Sequence, residues 1–336
     1  NQKSRHKMKL IRFKMRNSNT KFDTNLSANL DANLQNTARE IYDANSDANL
    51  CANFSAGQGE ILGVVGADGS VFSFIEAGVK FDDMLNFVQN YTQNDLQNLE
   101  HFSQKTGGIK PCEIEILSPM SRVNGDIICL GINYFAHAQE SYKFKNKEFN
   151  GKREHAVYFA KRANFINGSG AKIDGHFDVT NSLDYEAELA IIIGKDAKNV
   201  SAKDAKDYIF GYTIFNDFSA RDLQNRHKQW YFGKSLDGFC AMGPTIQTQL
   251  KSRNLAIKSY VNGELRQNAN TGEMIFDEYQ VIAELSSAMT LKAGTIISLG
   301  TPSGVGMGFD PPKFLKSGDK VVCEIESLGR LENEII

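Results

Sequence analysis

From about Ser118 to its end the chain is a succession of short β-branched or aromatic runs separated by glycines, and no other feature restricts its fold as much. Ile127-Ile-Cys-Leu-Gly-Ile, Leu189-Ala-Ile-Ile-Ile-Gly, Tyr208-Ile-Phe-Gly-Tyr-Thr-Ile-Phe, Thr295-Ile-Ile-Ser-Leu-Gly and Lys320-Val-Val-Cys-Glu-Ile-Glu are each strand-length and rich in residues that fit a pleated sheet. Helical patterning is clearest over residues 202–207 and 278–288. This part of the chain therefore predicts an α+β fold, predominantly β, with crossing helices. A chain of 336 residues buries such a core without disulfide staples.

The upstream part reads differently. Lys9-Leu-Ile-Arg-Phe and Ile61-Leu-Gly-Val-Val predict strands of a small N-terminal α/β unit. Ala67-Asp-Gly-Ser predicts a tight turn into Val71-Phe-Ser-Phe, because Asp-Gly supplies the positive φ values such turns need. Helices are expected around 81–91 and 95–105, and the unit closes near Pro111. Between its first two strands, residues 17–57 are dominated by Asn, Ala, Asp and Ser, with Ala-Asn-Leu or Ala-Asn-Phe at Ala28, Ala32, Ala48 and Ala52. Such composition buries little apolar surface and predicts a weakly ordered insertion with at most a marginal helix over 37–43. The expected organisation is thus an N-terminal strand within 1–16, where residues before Met8 read as a remnant or alternative start, then a low-complexity insertion at 17–57. A small domain at 58–117 and a β-rich catalytic domain at 118–336 follow.

Charge and cysteine usage exclude several classes of function. Thirty-eight basic and forty acidic side chains leave a net charge of −2, with no like-charge block beyond the basic start Lys3 to Lys14, so no nucleic-acid footprint is expected. Cys51, Cys112, Cys129, Cys240 and Cys323 are scattered without C-x-x-C spacing and read as reduced thiols. The longest apolar stretches are strand-sized, and the basic start lacks the apolar segment of a secretory signal. A cytoplasmic protein with no membrane or nucleic-acid partner is the expectation.

The chemistry concentrates around Asp184-Tyr-Glu-Ala-Glu-Leu-Ala-Ile-Ile-Ile-Gly. Glu186 and Glu188 are two apart at the head of a β run, so their side chains point the same way. On that segment alone they read equally as a solvated edge pair or as carboxylates that need a cation to be desolvated together. Asp217, at the C-terminal end of the strand Tyr208-Ile-Phe-Gly-Tyr-Thr-Ile-Phe, tips the balance toward a site. Three carboxylates without a thiol or ligand-spaced histidine favour a hard cation, Mg²⁺ or Mn²⁺, with positions left for substrate oxygens.

A second group follows the strand that begins at Ile127. In Gly131-Ile-Asn-Tyr-Phe-Ala-His-Ala-Gln-Glu-Ser, His137 and Glu140 would share one helix face at i and i+3, as a solvated surface pair or as a carboxylate-oriented general base. Lys234, in Phe232-Gly-Lys-Ser-Leu-Asp-Gly, is either an ordinary surface lysine or a partner for a carboxylate or oxyanion. Gly300-Thr-Pro-Ser-Gly-Val-Gly-Met-Gly offers backbone N–H groups and the Thr301 hydroxyl to an anion. It lacks the Gly-Lys-Ser/Thr ending of a phosphate loop, which argues against a nucleotide.

In this order these segments, with Asn216-Asp-Phe-Ser-Ala-Arg-Asp-Leu-Gln and Val261-Asn-Gly-Glu, resemble the fumarylacetoacetate hydrolase family from about Pro119 onward. The resemblance implies a mixed β-roll catalytic domain, usually a homodimer, and Mg²⁺ or Mn²⁺ held by Glu186, Glu188 and Asp217. It implies His137 and Glu140 as the catalytic dyad, Lys234 as oxyanion or carboxylate partner, and Arg221, Gln224 and Thr301 as contacts to a small 2-oxo acid. Two departures stand out. Arg162 in Tyr158-Phe-Ala-Lys-Arg replaces a proline found in many relatives, and residues 17–57 have no counterpart in the family pattern.

Family chemistry includes carbon–carbon cleavage of β-diketo acids, decarboxylation of 2-oxo diacids and tautomerisation or isomerisation of their enols, all served by one chelated enolate. The leading expectation is a hydrolase acting on an acylpyruvate or fumarylpyruvate type of β-diketo acid. An isomerase, tautomerase or decarboxylase acting on a 2-hydroxy-dienoate or oxaloacetate type of substrate is the alternative. A non-catalytic, metal-stabilised binding module, with residues 17–57 as its arm, is a third reading.

Overall fold

A computed structural model describes residues 7–16, 59–144 and 154–336. The helix expected over 37–43, and the insertion as a whole, lie outside the described residues.

In chain order the strands β1 (Lys9–Met15), β2 (Ile61–Val65) and β3 (Val71–Ser73) come first, followed by helices α1 (Met84–Asn90) and α2 (Gln93–Ser103). Next come β4 (Ile114–Leu117), β5 (Ile127–Gly131), helix α3 (Phe135–Phe144), β6 (Val157–Lys161), β7 (Lys172–Ile173) and β8 (Leu183–Asp184). The central strands β9 (Ala187–Ile193), β10 (Ile209–Asp217) and β11 (Ser219–Ala220) lead to the short helices α4 (Arg221–Arg226) and α5 (Tyr231–Lys234). The chain ends with β12 (Cys240–Gln247), β13 (Ala256–Val261), β14 (Glu264–Asn270), α6 (Glu278–Ala288), β15 (Ile296–Ser298), β16 (Lys320–Ile325) and β17 (Gly329–Ile335).

Ten strands form one mixed sheet in the order β3-β2-β1-β12-β10-β9-β15-β5-β6, with β4 paired to β1. A five-stranded sheet runs β14-β13-β16-β17-β7, and β8 pairs with β11. The N-terminal strands thus share a sheet with those that carry the carboxylates: Lys9 and Leu10 pair with Gln247 and Ile246 of β12. The Asp-Gly turn forms as expected, with Gly69 at φ 82 and Asp68 accepting the Ser70 backbone N–H at 3.1 Å.

Every residue of β9 and β10 is buried, so both faces of these strands are covered. Alternation assigns them to two cores. Leu189, Ile191 and Ile193 pack with Ile257, Ile325, Ile282 and other side chains on the five-stranded sheet and α6, while Ala190, Ile192 and Phe215 face Phe87, Cys129 and Met242. Burying one such aliphatic side chain contributes about 1.5–3 kcal/mol.

α6 spans the expected 278–288, started by Asp277, whose carboxylate accepts the Tyr279 and Gln280 backbone N–H groups. The helix expected over 202–207 is instead a 3₁₀ turn at Ala205–Tyr208. Asp204 makes no side-chain cap there, and the segment is too short to offset helix nucleation. Among the described residues Cys112, Cys129, Cys240 and Cys323 are free thiols, and no helix is long and apolar enough to cross a membrane.

Candidate active site

The two central strands build the carboxylate cluster by register alone. Phe215 lies opposite Glu188 and Asn216 opposite Ala187, and one step further Asp217 comes beside Glu186, whose carbonyl accepts the Asp217 N–H at 3.0 Å. Parity then turns Glu188 and Asp217 toward the same face as Ala190, Ile192 and Phe215. Glu186, Glu188 and Asp217 are all buried, and each offers one oxygen within 4.8 Å of the others. The solvated-edge reading of the two glutamates is therefore excluded.

Three cations touch this cluster. Lys234 donates to Glu186 Oε2 at 2.6 Å and to Asp217 Oδ2 at 2.7 Å. Arg221 donates through Nη2 to Glu186 Oε1 at 2.6 Å and through Nε to Asp184 Oδ2 at 2.9 Å. Lys161, fully buried, bonds Asp217 Oδ1 and the Phe218 carbonyl. Burial pushes the Glu186 carboxyl up, but Arg221 and Lys234 outweigh it and hold the group well below the usual carboxylate range. Lys234 responds in the complementary way, since Asp217 and Glu186 more than offset burial and raise its ammonium above the ordinary lysine value.

Glu188 differs from its neighbours. Its Oε2 accepts only neutral donors, Ser298 Oγ at 2.5 Å and Gly300 N at 3.1 Å. Burial, followed by Asp217 and Glu186, pushes its carboxyl well above the usual range. An all-oxygen set with one carboxylate lacking a bonded cation suits a hard divalent ion, so the residues present fit such a cofactor. Four carboxylates, Asp184, Glu186, Glu188 and Asp217, outnumber the three cations that touch them, which supports the same conclusion.

His137 lines a cavity of about 30 Å³ that Glu186 and Glu188 also line. His137 and Glu140 both lie on α3, with His137 Nδ1 and Glu140 Oε2 2.9 Å apart. Glu140 Oε1 accepts the Gly304 N–H at 2.9 Å, so the Thr-Pro-Ser-Gly-Val-Gly-Met-Gly loop anchors the carboxylate. Gly308 is required for this packing, since a Cβ there would stand 1.7 Å from Glu140 Oε1. Because Glu140 can only accept, Nδ1 is assigned the proton and Nε2 is left as a base. His137 is 4% exposed, which removes the surface-pair reading.

The expected substrate contacts are only partly free to make them. Arg221, Gln224, Lys234 and Thr301 all line the cavity. Yet Arg221 also donates to Gln224 Oε1 at 3.0 Å, and Lys234 is held by two of the clustered carboxylates, Glu186 and Asp217, not set apart for substrate. Thr301 donates to the Ala187 carbonyl at 2.9 Å and accepts from Gln267 Nε2 at 2.7 Å, which fixes its hydroxyl. The Arg162 departure has a visible consequence. Its backbone N–H donates to Ser235 Oγ at 3.1 Å, a bond proline could not make, beside Lys234.

Four residues at the site carried no assigned role in the sequence reading. Asp184 accepts the backbone N–H groups of Tyr185, Gly306 and Met307 as well as Arg221, and so ties the glycine loop to the carboxylates. It opens the Asp-Tyr-Glu-Ala-Glu motif, and its place there was the available signal. Lys161, a lysine ending an aromatic strand, carried a weaker one. Ser298 is an ordinary strand residue in sequence, and nothing local marks Trp230, which lines the cavity and packs on Gly131.

A buried oxygen-ligand cluster that could hold a divalent cation, beside a carboxylate-oriented histidine, is the arrangement of a metal-dependent enzyme site. The fumarylacetoacetate (FAA) hydrolase C-terminal family model matches residues 126–336, more than half of the chain, and the chain belongs to that family. It is 41% identical over 270 residues to the oxaloacetate tautomerase YisK of Bacillus subtilis (strain 168), a match covering 80% of this chain and 86% of that protein. The fumarylacetoacetate hydrolase of psychrophilic Exiguobacterium antarcticum has a similar structure, with a TM-score of 0.71 at 31% identity, covering 98% of this chain and 99% of that one. The 2-hydroxyhepta-2,4-diene-1,7-dioate isomerase of Mycobacterium marinum is similar at a TM-score of 0.58 and 29% identity, covering 82% of this chain and 96% of its own.

Proposed function

We propose that the chain is a divalent-cation-dependent tautomerase of a short 2-oxo diacid of the oxaloacetate type, interconverting keto and enol forms. The observation that carries this reading is that His137, its Nδ1 tied to Glu140, lines one small cavity together with Glu186 and Glu188, which cluster with Asp217. The 41% identity to an oxaloacetate tautomerase supports tautomerisation over the carbon–carbon hydrolysis that the sequence put first. The isomerase among the structural relatives has a related proton-transfer outcome.

Glu186, Glu188 and Asp217 would hold Mg²⁺ or Mn²⁺, which when bound supplies electrophilic pull on the 2-oxo and carboxylate oxygens. The protein's own groups do the rest. His137 Nε2 takes a proton from carbon 3, the electron pair left behind forms the C2=C3 bond, and the former ketone oxygen takes the charge. The imidazolium then returns the proton to that oxygen, giving the enol and restoring the base. Glu140 stabilises the imidazolium in between. Arg221 and Lys234 fix the carboxylate cluster in place, and Leu130, Phe159 and Met307 contribute apolar lining to the cavity.

The test is enol decay of oxaloacetate with Mg²⁺ or Mn²⁺, compared for the unaltered chain, His137→Ala and Glu186→Ala. Acceleration that is lost in both variants, with His137→Ala still binding the cation, supports the proposal. An unaltered rate in His137→Ala removes the base, and carbon–carbon cleavage or carbon dioxide release as the main outcome returns the site to the hydrolase or decarboxylase reading.

A further inference from the structure

The cavity is lined in part by Trp230, the only tryptophan in the chain, half-buried on the connection between α4 and α5. Its ring sits directly on Gly131. A Cβ on Gly131 would stand 2.3 Å from Trp230 Cζ3 and 2.7 Å from Cη2, so only glycine admits the ring at this depth. Phe159 braces the indole edge-on, with centroids 5.3 Å apart, and the Lys234 ammonium lies 4.8 Å from the Phe159 centroid. The aromatic pair is thus continuous with the charged side of the site.

The opposite support is unusually rigid. Ile132 lines the cavity with φ at 57°, a left-handed conformation that a β-branched residue rarely adopts. Asn133 holds it there: Nδ2 donates to the Leu299 carbonyl at 2.7 Å and to the Phe276 carbonyl at 2.9 Å, and Oδ1 accepts the Phe276 N–H at 2.9 Å. A corner fixed in this way cannot yield to a longer ligand. Trp230, half-buried on a connection whose residues 225–229 are exposed, is the more yielding side of the wall.

We propose that Gly131, Ile132 and Trp230 form the wall that sets substrate length, admitting a short 2-oxo diacid and penalising each added methylene. The inference rests on the proposed 2-oxo diacid chemistry and names the selecting residues. The cavity is small, about 30 Å³, so each added methylene brings a diacid harder against the wall that Trp230 and Gly131 form. One methylene too many against an apolar wall is discriminated against by about 10–200-fold.

The experiment is calorimetric binding of 2-oxoglutarate, 2-oxoadipate and 2-oxopimelate to the Mn²⁺-loaded protein, none of which needs turnover. The quenching or shift of Trp230 fluorescence is followed in parallel. In the unaltered chain affinity should fall at least about tenfold per added methylene, and in Trp230→Ala the three should bind within about threefold of one another. Should Trp230→Ala not fold, Trp230→Phe, with a shorter reach, should flatten the series part of the way. A steep series that persists unchanged in the variant, or a flat series in the unaltered chain, overturns the length-selecting role. Failure of every 2-oxo acid to bind overturns the substrate chemistry and this inference with it, a pattern distinct from binding without length preference.

Discussion

Glu140 braces His137 from the next turn of the same helix, its Oε2 lying 2.9 Å from Nδ1, while its other oxygen accepts the Gly304 N–H. The imidazole is therefore oriented by a group that is itself fixed from a second segment of the chain. Glu140→Gln keeps the shape but removes the charge that stabilises an imidazolium. Turnover should fall about 10–100-fold, with Mn²⁺ affinity by calorimetry unchanged. A matching loss of Mn²⁺ affinity would mean that Glu140 supports the cluster and not the base.

Glu188 is the carboxylate with only neutral donors, and burial with Asp217 and Glu186 pushes its acid up. Glu188→Gln preserves the acceptor for Ser298 and Gly300 and removes a buried charge. Mn²⁺ binding should disappear while the melting temperature in EDTA stays level or rises. A clear drop in that melting temperature would contradict the account.

Lys161 is a fully buried ammonium bonded to Asp217 and the Phe218 carbonyl, with the Phe215 and Phe239 ring centroids each 5.9 Å away. Lys161→Met keeps the apolar stem and leaves Asp217 short of a partner. Unfolding by denaturant in EDTA should show a loss of about 3–5 kcal/mol. A change near zero would show that Lys234 alone suffices.

Glu278 opens α6 fully buried, accepting from Ser252, with Oε2 lacking a hydrogen bond among the described residues. Burial raises its pKa above the ordinary value. The folded protein thus holds the proton more tightly than the unfolded chain, whose glutamates titrate near about 4.3. Above both values the buried charge costs stability, and that cost is relieved as pH falls through the folded value, vanishing below the unfolded one. Glu278→Gln should raise the melting temperature at pH 8 and lose the advantage toward pH 4. An advantage that grows on acidification would reverse the sign.

The sequence reading reached what strand periodicity and local spacing encode. Glu186 and Glu188 share a face because strand side chains alternate, and His137 meets Glu140 because one helical turn brings i and i+3 together. What depended on tertiary approach was out of reach. No local pattern says that Lys9 and Leu10 pair with β12, joining the N-terminal strands to the catalytic sheet. Lys161 and Asp184 take their meaning from residues 56 and 37 positions away, and Trp230 from a glycine at the end of β5. Lys234 and Arg221 could be found but not placed, because only the fold shows which carboxylates already hold them.

Deuterium exchange at carbon 3 of oxaloacetate, followed by NMR in D₂O with Mn²⁺ replaced by Mg²⁺ to keep lines sharp, tests the proton-transfer chemistry most directly. The account predicts exchange faster than the cation-only rate, an intact four-carbon skeleton, and loss of the effect with EDTA or in His137→Ala. Cleaved or decarboxylated product formed faster than exchange, or exchange no faster than cation alone, would contradict it.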